Sequence, residues 1–162
     1  MSKSSVQRLP LPGYALLAKF ARGGAYTDCY VVAVPRHVSH AEYVEAFYTS
    51  WLFKLERVIL TWFVEKPSTD DEARALSRGE RETFAAWSVD SRAGNQLVML
   101  DFMSYTCSWL MIETRPAETV LYFGSGIMRR TLGFRLLLPF HKLYARSLLA
   151  AAGAQLRRRA AY

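Results

Sequence analysis

At 162 residues, 51% hydrophobic and 22% charged, the chain is long enough for one domain with a real core and too apolar for intrinsic disorder. Its net charge of +7 is confined to the C-terminal end: the first 118 residues carry thirteen basic against fourteen acidic groups, and the eight basic residues after Glu118 meet no acid. Cys29 and Cys107 belong to no CxxC or Cys/His cluster, so neither a disulfide framework nor a cysteine metal site is implied, and no secretory signal is visible.

Residues 1–24, broken by Pro10, Pro12, Gly13 and Gly23-Gly24, read as an irregular arm. Tyr26–Val34 is rich in β-branched and aromatic residues and reads as the first strand. Ser39 with Glu42 forms a capping box. The helix it opens is predicted to run to about Val64, with Val44, Phe47, Tyr48, Trp51, Leu55, Val58, Ile59 and Trp62 facing the core within an arc of about 120°. Lys54, Glu56 and Arg57 exclude a membrane span there. Phe53 and Leu60 fall on the opposite side, which predicts a second contact: the arm, the next helix or another copy of the chain.

Pro67 ends that helix, and Ser68 with Asp71 predicts a cap for a short helix over 69–78. Four strand-like runs come next, Thr83–Asp90, Gln96–Phe102, Thr106–Thr114 and Thr119–Ser125, with gaps of hairpin length that demand an antiparallel meander. Both faces of these runs are apolar, so the side to which Trp109 points is left open. A last helix opens at Phe134 or Pro139, with Phe140, Leu143, Tyr144, Leu148 and Ala151 at helical spacing. Gly153 is expected to separate a domain over 25–153 from a frayed basic tail over 154–162. The predicted fold class is therefore α+β: an antiparallel sheet of about five strands, two helices after the first strand, and a long C-terminal helix packed across the sheet.

This element order resembles the START-like (SRPBCC) helix-grip superfamily. The segments Asp101-Phe102-Met103-Ser104-Tyr105-Thr106-Cys107-Ser108-Trp109-Leu110 and Leu138-Pro139-Phe140-His141-Lys142-Leu143-Tyr144-Ala145-Arg146 are similar to stretches in uncharacterised bacterial proteins of that type. Members usually place six strands after the helix pair, where four are found here. The resemblance implies an apolar cavity between sheet and C-terminal helix, no cofactor, and binding of a small hydrophobic, lipid-like or polycyclic molecule. Trp87, Trp109, Tyr122, Phe140, His141 and Tyr144 are the candidate lining residues.

Other constellations carry less. His141 with Asp101 or Glu113 would make an acid–base pair, as in a cyclase or dehydratase on the same scaffold, against the plainer reading of a rim histidine and solvated acids. His37 and His40 with Glu42 and Glu45 lack a third ligand at fixed spacing, so no metal is expected. Arg157, Arg158 and Arg159 suit peripheral contact with an anionic membrane, whereas the basic–aromatic interleaving of a nucleic-acid surface is missing. Phe53 and Leu60 are the candidate contact for a homo-oligomer. A cytoplasmic location is the default expectation.

Overall fold

The computed structural model describes residues 5–65, 67–129 and 132–159. One antiparallel sheet carries the chain, built from β1 (Gln7–Arg8), β2 (Tyr26–Val34), β3 (Thr83–Phe84), β4 (Trp87–Ala93), β5 (Gln96–Asp101), β6 (Thr106–Thr114) and β7 (Thr119–Ile127). Its helices are α1 (Ala18–Arg22), α2 (His40–Tyr48), α3 (Trp51–Val64), α4 (Asp70–Ser77) and α5 (Leu132–Arg159). The spatial order is β1-β2-β7-β6-β5-β4-β3, with every neighbouring pair antiparallel. This is the predicted α+β arrangement, with α5 lying on β2 and β7 and against α2. Among the described residues no helix is long and apolar enough to cross a membrane.

The sheet has seven strands where five were predicted. The arm contributes β1 and α1, and the run Thr83–Asp90 divides at Ala85, whose positive φ of 50° turns the chain between β3 and β4. The Ser39/Glu42 capping box forms as read. The cap of α4 is Thr69 with Glu72, one residue beyond the predicted Ser68 and Asp71.

The long helix over 40–64 breaks in two at Thr49-Ser50. Thr49 Oγ1 donates to the Glu45 carbonyl alongside its own backbone N–H, and Ser50 Oγ donates to the Phe47 carbonyl and accepts from Phe53 N, so side-chain bonds serve the two helix ends at the break. The break shifts the helical phase of α3 relative to α2. Trp51, Leu55 and Val58, predicted to be core, are exposed, and Phe53 is buried against Phe47, Tyr48, Phe84 and Trp87. Phe53 therefore belongs to the chain's own core and is removed as an oligomer contact; the side chains of Leu60, Ile59 and Trp62 lie outside the described residues.

Both faces of the sheet are covered. On the helix side, Tyr30, Val32, Leu97, Met99, Leu110, Leu121 and Phe123 pack with α2 and with Ala145, Leu148, Leu149, Ala152 and Leu156 of α5. On the other side, Cys29, Val31, Val98, Cys107, Trp109, Met111 and Tyr122 pack with Ala15 and Leu17 of the N-terminal segment. Trp109 comes so close to β7 that a Cβ on Gly124 would sit 2.9 Å from its ring and 2.7 Å from the Asp28 carbonyl, which is why that strand position is glycine.

The buried stripe of α5 differs from the predicted one. Of the predicted residues Leu148 and Ala151 are buried, Phe140 (70% exposed) and Leu143 (65%) look outward, and Tyr144 is turned partly to solvent and partly toward α3; Ala145, Leu149, Ala152 and Leu156 complete the buried face. Gly153 does not end the helix: a Cβ there would sit 3.2 Å from Val32, so the glycine lets α5 lie close to β2 while it continues to Arg159. The arginines read as a frayed tail are thus helical. Arg157 donates to the Ala33 carbonyl and Arg159 pairs with Glu45 at 3.1 Å, which leaves Arg158 exposed and, among the described residues, unpaired. Two of the three charges assigned to membrane contact are engaged by the chain itself.

Candidate functional site

The pairing register places Asp28 of β2, Ser125 of β7 and Ser108 of β6 side by side in one row across the sheet. All three share the helix-side face with Tyr30, Phe123 and Leu110, so a polar lane crosses an otherwise apolar surface. α5 lays His141 over it.

Asp28 is the buried centre of this lane, with a fully covered side chain. Its Oδ1 accepts from Ser125 N at 3.0 Å and Ser125 Oγ at 2.7 Å, and its Oδ2 accepts from Tyr26 Oη at 3.3 Å. His141 Nε2 lies 2.7 Å from Ser125 Oγ and 3.6 Å from Asp28 Oδ2. Ser125 has one hydroxyl proton, and the 2.7 Å contact with the carboxylate uses it. His141 must then donate from Nε2, which fixes the tautomer and leaves Nδ1 as the acceptor of a neutral ring. Ser125 consequently acts as a relay between carboxylate and imidazole and is not poised as a nucleophile.

Burial pushes the Asp28 carboxyl up, but the nearby His141 imidazole and the hydrogen bonds from Ser125 N and Oγ outweigh it and hold the group below its ordinary value. A carboxylate depressed in the folded state adds stability above its unfolded pKa of about 4 and loses it as pH falls through the lower folded value. Asp28→Asn should therefore lower the melting temperature at pH 7 and flatten its fall below pH 4, read as the difference from wild type in thermal scans. Parallel curves for the two proteins would contradict the depressed carboxyl.

Beside His141 lies a cavity of about 180 Å³ between α3, α5 and the sheet. Phe47, Phe53, Trp87, Phe123, Ala145 and Leu148 form its apolar wall. Tyr48, Glu56, Ser108, Ser125, His141 and Tyr144 form the polar part, with Thr106 and Cys107 at the β6 end. Tyr144 Oη donates to Glu56 Oε2, joining α5 to α3 across the cavity. Burial raises the Glu56 carboxyl, opposed by that hydrogen bond. The Tyr48 hydroxyl is buried with no hydrogen-bond partner of normal geometry; burial raises it above its ordinary value, opposed by the nearby Ser108. A larger hollow of about 440 Å³ is a surface groove lined by Thr49, Trp51, Lys54, Gln155, Arg158 and Arg159, away from this chemistry.

Three of the six predicted lining residues meet here: Trp87, His141 and Tyr144. Trp109 is fully buried in the opposite core, its Nε1 donating to Gln96 Oε1 at 2.8 Å. Tyr122 shares that core and donates to Glu113, and Phe140 points outward. The acid partner of His141 is Asp28. Asp101 instead accepts from Tyr105 N and Thr106 N at a turn, and Glu113 pairs with Arg115. His37 Nε2 meets the Pro116 carbonyl and His40 Nε2 the Leu110 carbonyl, and among the described residues no group of three or more metal-binding side chains assembles.

Sequence reading misses Asp28, Ser125, Glu56 and Tyr48. A signal exists for the first two: each is a polar residue at the same parity as buried apolar neighbours in its strand. No family model and no curated protein matches the chain. Among solved structures it is similar to CalU16 from Micromonospora echinospora, with 11% identity over 95% of this chain and 94% of that one, and a TM-score of 0.36. That likeness is too slight to assign a ligand.

Proposed function

We propose that the chain binds a compact, mainly apolar molecule of about one substituted ring in the cavity between α3, α5 and the sheet. The carrying observation is an aromatic-walled space of about 180 Å³ with its polar groups gathered on one part of the wall. An apolar engineered cavity of about 150 Å³ admits benzene, and drug-sized ligands occupy about 300–1,000 Å³. The expected ligand is therefore smaller than the lipid-like or polycyclic molecule suggested by the helix-grip resemblance. Benzyl alcohol titrated into the protein should give saturable heat and a change in fluorescence from Trp87. Absence of saturable heat would count against the reading.

The Asp28–Ser125–His141 chain favours a second reading, acid–base chemistry on the bound molecule. Buried charge, relay hydroxyl and imidazole form a unit in which His141 Nδ1 takes a proton while Asp28 stabilises the resulting imidazolium. Acetophenone, a one-ring ketone with acidic methyl protons, should then exchange them with deuterated solvent faster in the presence of the protein. His141→Asn should abolish the acceleration while preserving acetophenone binding. Equal exchange with both proteins would leave binding as the function.

A further inference from the structure

The cavity presents a charge imbalance that bears on its ligand. Glu56 brings a carboxylate to the wall, and among the described residues its hydrogen bond there is from the neutral Tyr144 hydroxyl. Lys54 and Arg57, its neighbours on α3, turn to Asp70 at 2.8 and 2.6 Å. His141 is engaged with Ser125 and Asp28. Arg92 of β4 acts on Tyr48, but neither it nor any other lysine or arginine is among the described residues lining the cavity. Tyr48, 1% exposed, lines the same space with a hydroxyl that lacks a partner and lies within electrostatic reach of Glu56.

From this geometry we infer that the polar part of the cavity is an ammonium subsite, and that the ligand is a small arylalkyl amine. Its ammonium would donate to the Glu56 carboxylate and the Tyr48 oxygen, and its ring would lie among Phe47, Phe53 and Trp87. The aromatic walls favour a cation through their π faces. A neutral ligand would leave a half-buried carboxylate without a counter-charge, and an anion would add a third negative charge to those of Glu56 and Asp28. The inference rests on the reading that this cavity holds a small molecule. Burial disfavours ionised Glu56, and a cation against it reverses that preference.

The test is calorimetric titration at pH 7 with benzylamine, benzyl alcohol and benzoate, three probes with one ring and different charge. Wild type should bind benzylamine at least about tenfold more tightly than benzyl alcohol, as a charge-assisted hydrogen bond provides, and benzoate not measurably. Glu56→Gln should bring the two affinities within about threefold of each other while keeping that for benzyl alcohol. This variant removes a carboxylate that burial disfavours, so its melting temperature should not fall. Tyr48→Phe should stay folded and bind benzylamine about three- to tenfold more weakly, the loss of one hydrogen bond. Benzyl alcohol or benzoate binding wild type as well as benzylamine does would overturn the ammonium subsite while the cavity reading stood. An unchanged preference in Glu56→Gln would also overturn it. Failure of both benzylamine and benzyl alcohol to bind would overturn the cavity reading and the subsite with it.

Discussion

Leu149→Asp should abolish folding, whereas Leu143→Asp should be tolerated. Both are leucines on α5, but Leu149 is fully buried between helix and sheet and Leu143 is 65% exposed. A carboxylate at 149 would enter a core formed by strand residues such as Val32, Leu121 and Phe123, where it has no counter-ion. An unpaired buried charge costs several kcal/mol, a large share of the roughly 5–15 kcal/mol that holds a domain together. At 143 the same substitution exposes a charge to water and should change stability by less than about 0.5 kcal/mol. Circular dichroism and thermal melts on the pair decide the helix register. Unfolding by Leu143→Asp with a folded Leu149→Asp would restore the stripe read from sequence.

Trp109→Ala is expected to cost about 3–5 kcal/mol, the loss for a close-packed aromatic. The indole fills the space over Gly124, touches Tyr122 and donates to Gln96, so alanine leaves a hole and removes a buried hydrogen bond. Because Trp109 lies on the face opposite α5, the fraction that remains folded should bind benzyl alcohol with wild-type affinity. A small stability loss with weakened binding would instead place Trp109 in the cavity wall, contrary to the register of β6 against β7.

The contrast between these residues shows what a single sequence reveals. Tyr26–Val34 and Thr106–Thr114 match their strands end to end, because β-branched runs bounded by Gly, Pro or Ser have one local solution. Which face carries the cavity is hidden, since both faces are apolar and parity alone cannot say which side α5 covers. The polar lane of Asp28, Ser108 and Ser125 marks that side, but it becomes visible only when the register aligns three separate strands. On α5, apolar spacing finds the buried Leu148 and Ala151 but misplaces the largest residues. The helix approaches the sheet through Ala145, Ala152 and Gly153, and its larger Phe140 and Leu143 lie on the outer surface. Glu56 falls on the solvent side of one uninterrupted helix. After the break at Thr49-Ser50 the chain resumes as α3, and Glu56 lies on the cavity wall.

Ala145 is buried on the cavity wall, so a larger side chain there would occupy the space directly. Replacing it with leucine adds three carbons to a region of about 180 Å³, within the volume available. Calorimetric titration of benzyl alcohol into wild type and Ala145→Leu, with melting curves on both, tests whether the cavity holds a ligand. The expected result is saturable binding to wild type, none to Ala145→Leu, and a melting temperature for the variant no lower than that of wild type. Equal binding by both folded proteins, or failure of wild type to bind either benzyl alcohol or benzylamine, would contradict a ligand site between α3, α5 and the sheet.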